Sequence, residues 1–538
     1  MENKVMEDTA QCEIIEPGLN GVKPDATDEI LKMQSQVQTI MQAETKEYNI
    51  LKKPADEIAS SDIMEALKRG EDGDSDLFVF FNKNKLLYDH SSSEWYIWKD
   101  ERWNLDKKEQ RLVSFESLIN IYAHEINNQT AIQITAIKNE DSNAERKSKN
   151  IIKDLSNRIK KLHTVNRKKN ILKLASSGEN SLGIIGDEWD KHNNLLACDN
   201  GVIDLKSGGF RKNTPQDYFK SIAPVKFESL DTPAPAFVKF LRGSLNNNEE
   251  LITFIQRLFG SAISGSVIEH RIPVFWGENG RNGKGTLIEV NKKVLGNLAS
   301  PIPAEMLLKQ ANSRSSAGAS PDIILLKGKR LVWASETEEG RQIDVSKIKW
   351  LSGGDTLVGR GVWDKYFSEF DPTHSLFILT NHRPHIPAGE NAIWQRIFLI
   401  PFEISFVDDP KKSYERKRDP HLKEKLLKEK SGILSWLIQG HIAWQREGLN
   451  PPDIVIQHTL QYKEDEDSIK AFIKERCIEN KNGETYFKEL FAEYKNWCTD
   501  NDLKPETQRK LGTYLTKKFD KSNKGIIVYK GISLQKYS

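Results

Sequence analysis

The chain has 538 residues, enough for about three domains, and its net charge of +2 (79 basic, 77 acidic) indicates no partner by itself. The four cysteines lack metal-ligand spacing, which argues against a zinc site or a disulfide framework. No apolar run is long enough to cross a bilayer and no signal-peptide core is present, so we expect a cytoplasmic protein with no membrane partner.

Residues 1–60 are predicted to be disordered or a linker, because the first fifty carry ten acidic and four basic residues without a periodic apolar pattern. Residues 61–235 are predicted to form a mixed α+β domain. Strands are expected at Leu86–Tyr88 and Trp95–Trp98, a helix at Ser114–Asn127 and a hairpin within Leu195–Leu205. The alternating aromatic residues of this region favour core packing over a platform for stacking bases.

A basic amphipathic segment follows, with eleven basic residues against one acidic between Arg146 and Lys173. Such a helix is either a solvated face or a nucleic-acid contact, and the sequence leaves both open. Two Asp pairs, Asp72–Asp76 and Asp465–Asp467, lie in polar stretches that we interpret as turns. We interpret them as solvated acids and not as a primer-synthesis site, so no primase activity is expected in this chain.

The strongest signal is a glycine-rich turn between an apolar strand, Val274–Trp276, and a helical segment that starts at Thr286. Glycines let backbone N–H groups point at phosphates, Lys284 would reach the terminal phosphates, and the Thr286 hydroxyl would bind Mg²⁺. The loop departs from the usual pattern, and an ordinary Gly/Asn-rich turn is the alternative. The candidate nucleotide-binding residues are Gly277, Gly280, Asn282, Gly283, Lys284, Gly285 and Thr286.

Two later strands end in polar residues suited to hydrolysis. An apolar strand from Leu331 ends near Glu336, which would hold or polarise the Mg²⁺-bound water, with Glu338 as helper or substitute. Asn381 follows the next strand and would orient the attacking water, or else cap a turn. Arg396 lies between a tryptophan and a strand, as either a surface ion pair or an arginine finger for a neighbouring subunit.

The region 456–538 is predicted to hold three helices, Ser468–Cys477, Tyr486–Asp500 and Pro505–Phe519, and then a hairpin. This order is typical of a winged helix. Nine basic and three acidic residues from Asn501 to Ser538 favour DNA contact over pure packing, with Arg509, Lys510, Lys517 and Lys518 as candidates.

The order of five motifs resembles the superfamily 3 helicases, and more narrowly the phage and plasmid primase-helicases related to the poxvirus nucleoside triphosphatase. These motifs are the phosphate loop, the Ser335-Glu336 strand end, Leu351–Asp355, Leu379–His382 and Trp394–Ile397. The resemblance implies an α/β fold in which an AAA+ P-loop motor, residues 236–455, lies between the mixed α+β domain and the C-terminal winged helix. It also implies an ATP hydrolase that needs Mg²⁺.

The same resemblance implies a replicative helicase of a phage, plasmid or mobile element, acting as a hexameric ring on single-stranded and forked DNA with a separate primase. Two β-rich arms, Thr356–Val358 and Tyr366–Phe370, predict a hairpin, which in such rings carries a DNA-gripping lysine. Lys365 is the expected lysine and Arg360 the other candidate, whereas a plain surface turn is the alternative. Two other hypotheses remain: an ATPase that melts or marks an origin without unwinding, and a small-molecule NTP-dependent enzyme.

Overall fold

The computed structural model describes residues 58–310, 318–335, 341–362, 366–501, 503, 505–523 and 525–535. The contacts divide the chain into two compact units, one of residues 1–95 and 106–183 and the other of residues 96–105 and 184–538. The predicted domain boundaries at 235 and 455 fall inside the second unit and stay predictions. No helix of the described residues is long and apolar enough to cross a membrane.

The described part of the first unit is mainly helical. Its elements are α1 (Ser60–Arg69), α2 (Glu71–Asn82), β1 (Leu86–Asp89), α3 (Phe115–Lys138), α4 (Ser142–Leu162) and α5 (Val165–Ala175). The helices α1 and α2 approach closely at Gly73, where a Cβ would lie 2.1 Å from the Ala66 carbonyl oxygen. Asp72 and Asp76 therefore lie in a helix, and their assignment to a turn was wrong.

An ionic cluster is buried between these helices. The Asp74 carboxylate is fully buried and accepts hydrogen bonds from Arg158 (2.6 Å), Arg167 (2.8 Å from Nε) and the Tyr122 hydroxyl (2.6 Å). Burial, and next the Asp74 charge, raise the pKa of Tyr122 well above its usual value. Two of the eleven basic residues of the 146–173 segment are thus structural, because a buried charge needs partners.

Short strands precede the central sheet: β2 (Glu94–Lys99), β3 (Arg102–Leu105), β4 (Gly183–Ile184), β5 (Leu195–Cys198), β6 (Gly201–Asp204) and β7 (Phe210–Arg211). Strands β2 and β3 form a hairpin that pairs Trp98 with Trp103, and β5, β6 and β7 form an antiparallel sheet. Trp103 is 3% exposed and donates a hydrogen bond to the Pro215 carbonyl. The predicted aromatic core and the Leu195–Leu205 hairpin are confirmed.

The central part of the second unit alternates helices and strands. In chain order these are α6 (Pro235–Ser244), α7 (Glu249–Ala262), β8 (Ile272–Trp276), α8 (Lys284–Leu295), β9 (Ala299–Ile302), α9 (Pro321–Ile324), β10 (Leu331–Ser335), α10 (Val345–Leu351), β11 (Leu357–Gly359), β12 (Ser368–Phe370), β13 (Ser375–Thr380), α11 (Asn391–Trp394), β14 (Ile397–Pro401), β15 (Ser405–Val407), β16 (Glu415–Lys417), α12 (Leu422–Lys428), α13 (Lys430–Glu447) and α14 (Asp453–Asp465).

Five of these strands form one parallel sheet in the order β14-β8-β13-β10-β9. Both faces are covered, because successive residues of β8, Val274 and Phe275, enter two different cores, as do Phe377 and Ile378 of β13. A parallel sheet buried on both faces explains why these strands are nearly continuous apolar runs in the sequence. The mixed α/β character of the predicted fold is confirmed.

The C-terminal elements have a core of their own. They are α15 (Ser468–Arg476), β17 (Cys477–Tyr486), α16 (Phe487–Asp500), α17 (Gln508–Lys518), β18 (Asp520–Asn523) and β19 (Ile527–Leu534). The three predicted helices and the hairpin are present, and β17 adds a third antiparallel strand that the sequence analysis missed. Phe472, Trp497, Leu515 and Ile532 are among the residues that fill this core.

Candidate nucleotide-binding site

The candidate site lies where the strand order of the parallel sheet reverses. From β8 the chain passes to β9 at one edge, returns through β10 to β13, which pairs with β8, and then adds β14 on the other side of β8. Ligands of open α/β sheets bind outside the carboxyl ends of strands at such a switch point. The turn after β8 is the segment that the sequence predicted to bind phosphate.

The loop is held by close packing and not by glycine flexibility alone. The Gly277 carbonyl accepts a hydrogen bond from the Asn282 side chain at 3.1 Å, and a Cβ on Gly277 would lie 1.9 Å from that amide nitrogen. Gly283 has φ +86°, and its Cβ would lie 2.6 Å from the Ser244 hydroxyl. Gly277 is thus required for close approach to Asn282 and Gly283 for the turn into α8.

Lys284, the first residue of α8, is 6% exposed and points its ammonium group back over the loop. Its Nζ lies 2.9 Å from the Asn381 Oδ1 and 3.2 Å from the Gly277 carbonyl oxygen. Burial lowers the pKa of Lys284 to about 8, because the charged form loses hydration there. The sequence predicted both residues, and the structure brings them into contact although 97 positions separate them.

A cavity of about 870 Å³ opens in front of Lys284. Its lining includes Asn282, Gly283, Gly285, Thr286, Ser335 and Asn381, whereas Gly277 and Gly280 are not part of it. The first N–H groups of a helix have no partner within the helix, so the N-terminus of α8 offers donors and a positive dipole to an anion. Of the predicted nucleotide-binding residues, the ones from Asn282 to Thr286 are those the structure places at the cavity.

The cavity also has a basic wall that sequence reasoning missed. Lys239 of α6, Arg281 of the loop, and Lys417 and Arg418 after β15 are exposed side chains on it. The Phe406 N–H holds this wall to the loop through a 2.9 Å hydrogen bond to the Arg281 carbonyl. The one available signal was the basic run Arg416–Arg418 close behind the fifth strand of the sheet.

The carboxyl end of β10 also borders the cavity. Its last residue, Ser335, pairs in register with Leu379 and lines the cavity. The predicted acidic residues Glu336 and Glu338 follow in sequence and lie outside the described residues. Their assignment to Mg²⁺ and to the hydrolytic water therefore stays a prediction.

Arg396 lies at the amino end of the strands, opposite the carboxyl end that borders the cavity. It directly precedes β14, whose residues Ile397–Pro401 pair in parallel with Ile272–Trp276 of β8. The five residue-to-residue steps from Arg396 to Pro401 span roughly 16 Å at about 3.3 Å each. Arg396 Nη1 donates a 3.2 Å hydrogen bond to the hydroxyl of Ser352, within the predicted motif Leu351–Asp355. The structure does not bring Arg396 to the cavity of its own chain.

The predicted hairpin between the motifs is present as β11 paired antiparallel with β12. Beside its centre, Tyr366 is 81% and Phe367 51% exposed, and the half-buried Arg360 guanidinium lies 5.7 Å from the Phe367 ring centroid. The Arg360 side chain is therefore held against the hairpin. Lys365 lies outside the described residues, so its DNA-gripping role stays a prediction.

The predicted C-terminal basic residues all lie on α17, but their surroundings differ. Arg509 and Lys517 are exposed, whereas Lys510 pairs with Glu506 (2.5 Å) and Lys518 with Glu479. A cation already paired with a carboxylate contributes less to binding a polyanion. Arg509 and Lys517 are therefore the better candidates for a phosphate contact.

Comparisons with known proteins agree with the motif order. The D5 N terminal like family model matches residues 75–244. A putative helicase of Acanthamoeba polyphaga mimivirus is 26% identical over 466 residues, which are 81% of this chain and 47% of that protein. The chain is thus similar to proteins named as putative viral helicases. This similarity confirms the resemblance predicted from the five motifs.

Further relatives carry related names. A putative helicase of Invertebrate iridescent virus 6 is 29% identical over 253 residues (45% of this chain, 26% of its own), and a putative primase of African swine fever virus is 22% identical over 334 residues (58% and 34%). The chain thus spans about half or less of these curated relatives. A match to a solved NrS-1 C terminal region (305–718) covers 85% of this chain and 98% of that one, at 11% identity and with a TM-score of 0.41.

Proposed function

We propose that the chain is an ATP-dependent replicative DNA helicase: an AAA+ motor of superfamily 3 that forms a hexameric ring and translocates on single-stranded DNA. The observation that carries the proposal is the buried Lys284 ammonium, which faces a cavity at the carboxyl end of β8 and contacts Asn381. The names of the viral relatives support a role in replication.

The cavity residues suit a nucleoside triphosphate. Lys284 would exchange its contact with Asn381 for the terminal phosphates, while the first N–H groups of α8 would bind phosphate oxygens. Lys417 and Arg281 would add positive charge along the basic wall. Mg²⁺, held by Thr286 with Glu336, would neutralise charge that develops on the phosphates. Asn381, freed from Lys284, would then orient the attacking water.

The position of Arg396 supports a site shared between subunits. Arginine fingers stabilise the charge of the transferred phosphoryl group, but this guanidinium lies at the far edge of the sheet from Lys284. A head-to-tail contact joins two different surfaces of identical subunits. Such contacts close into a ring when the rotation between neighbouring subunits brings the last one back to the first. We therefore assign Arg396 to the cavity of the neighbouring subunit.

Two elements would contact DNA. The hairpin β11–β12 would project Lys365 into the ring channel and transmit the nucleotide state to the strand. The helix α17 would belong to a winged helix, with its exposed cations on phosphates of the duplex. A helix–strand–helix–helix–hairpin order with a three-stranded sheet supports this interpretation of the C-terminal part.

The test is ATP turnover by Lys284→Ala, measured with and without single-stranded DNA, together with the mass of the protein in solution. Lys293→Ala is the matched control, since Lys293 is an exposed lysine on the same helix. We expect turnover to vanish in the first variant and to persist in the second. Full turnover in Lys284→Ala would refute the phosphate-loop assignment, and turnover without DNA stimulation would favour a small-molecule enzyme.

A further inference from the structure

The helix α4 carries a stripe of cations that the nucleotide site does not use. Arg146, Lys149, Lys153 and Lys160 are exposed and follow one another at intervals of three, four and seven residues. At 100° per residue these positions lie within about 60° of one another, and at about 1.5 Å per residue they extend over roughly 21 Å. On α5, Lys169 and Lys173 are also exposed at an interval of four.

The opposite side of α4 is occupied by the fold. Ser148, Leu155 and Leu162 are buried, and Arg158 binds the Asp74 carboxylate. Arg158 and Arg167 of this segment thus bind the buried Asp74 carboxylate, whereas the four cations of the stripe are exposed on the outer face. Within the described part of the chain, the four cations of the stripe have no carboxylate at ion-pair distance, unlike Arg158 and Arg167.

Like charges three or four residues apart on one helix face repel each other and destabilise the helix. A stripe of four cations is thus unfavourable for the free protein and becomes favourable against a polyanion. The helix has no aromatic side chain on which a base would stack, as single-strand binding surfaces have. Duplex DNA carries one charge per about 1.7 Å, so it is the polyanion that matches a straight row of cations.

We propose that the outer face of α4 binds the phosphate backbone of duplex DNA without sequence preference. Roughly six base pairs, at about 3.4 Å each, would lie along the stripe. This surface belongs to the first unit and is distinct from the nucleotide cavity, the hairpin and α17. Binding to it requires no ATP turnover, so it stands or fails independently of the proposed helicase activity.

The experiment compares two variants of the full chain, each with four cations replaced by glutamine. The first, R146Q/K149Q/K153Q/K160Q, removes the stripe. The control, K83Q/K85Q/K107Q/K108Q, removes four exposed lysines of the same unit and thus the same net charge. Fluorescence anisotropy measures the affinity of each for a blunt duplex of random sequence and for a single strand, between about 50 and 200 mM salt.

Each phosphate contact contributes about 0.9 to the slope of log K against log salt, so the stripe variant is expected to lose up to about 3.6. Four contacts account for about 10² of the affinity lost over that salt range, and this part of the loss should disappear. The control variant should keep the wild-type slope, and both should keep DNA-free ATP turnover. The charge-conserving variant R146K/K149R/K153R/K160R should bind like wild type.

An unchanged slope in the stripe variant, or an equal loss in the control, would overturn the proposal. A loss confined to the single strand would overturn the assignment to duplex. If the fourfold variant does not fold, as judged by circular dichroism, the pairs R146Q/K149Q and K153Q/K160Q replace it, each with an expected slope change of about 1.8. Full duplex binding by both pairs would equally refute the stripe.

Discussion

Replacing Arg396 by alanine separates a structural arginine from one that acts on a neighbouring subunit. In its own chain Arg396 makes a 3.2 Å hydrogen bond to Ser352 and is half-buried. A hydrogen bond to a charged group contributes about 1.5–3 kcal/mol when buried, so its loss from this half-exposed position should cost about 1–2 kcal/mol of folding free energy. The variant should therefore fold and bind nucleotide.

The effect on hydrolysis should be far larger. The side chain reaches roughly 7 Å from its Cα through six bonds, well short of the roughly 16 Å to the edge that holds Lys284. Its catalytic contribution must then come in trans, where arginine fingers are worth about 10³–10⁵ in rate, or about 4–7 kcal/mol. Arg396→Ala should lose turnover by that factor while a fluorescent nucleotide still binds.

Mixing Arg396→Ala with Lys284→Ala protein provides the assay. In a ring assembled at random from equal amounts, about one quarter of the interfaces pair an intact Lys284 with an intact Arg396. Steady-state hydrolysis should then recover to about that fraction of wild type, although each variant alone is inactive. Arg271→Ala, which removes another arginine at the same edge, should keep its turnover. Rings of confirmed mass that stay inactive at every ratio would refute a shared site.

Three further predictions concern protonation, the C-terminal helix and the hairpin. Lys284 has a pKa of about 8 in the folded chain and 10.5 when exposed, so the unfolded state keeps its proton to a higher pH. The free energy of unfolding of wild type, after subtraction of that of Lys284→Met, should therefore rise between those pH values by on the order of 1–3 kcal/mol. A difference that stays constant with pH in calorimetry would contradict burial of this amine. R509Q/K517Q should lower the salt slope of duplex binding by about 1.8, and the ion-paired K510Q/K518Q should lower it less; equal effects would argue against phosphate contact by α17. Lys365→Ala should keep DNA-free ATP turnover but lose strand separation on a forked duplex, whereas normal unwinding would favour an origin-marking ATPase.

Local signals in the sequence predicted those parts of the fold that depend on neighbouring residues. The apolar run before Gly277 and the lysine after Gly283 define a strand, a turn and a helix start within about a dozen positions. The same holds for the strand that ends before Asn381. Because parallel strands buried on both faces are apolar throughout, their positions could be predicted from the sequence. The order of the strands within the sheet is known only from the structure.

Features that depend on distant partners could not be predicted. Asp74 is a buried acid because Arg158 and Arg167 reach it from positions 84 and 93 residues away, so the sequence around it indicated only a polar segment. Strand β17 was missed because its middle is polar and exposed, and its pairing with β19 joins residues about fifty positions apart. The position of Lys417 at the cavity could not be predicted, because it depends on where the chain after β15 runs in the fold.

The two units are interleaved along the chain, which limits how they can be separated or exchanged. Residues 96–105 belong to the second unit, although residues of the first unit precede and follow them. A fragment that starts at residue 184 would lack Trp103, whose backbone N–H and indole bond the carbonyls of Phe219 and Pro215. Recombination at a single crossover between the units would likewise leave each product without part of a core. The two units are therefore best exchanged together, and a fragment of the second unit needs the β2–β3 hairpin supplied with it.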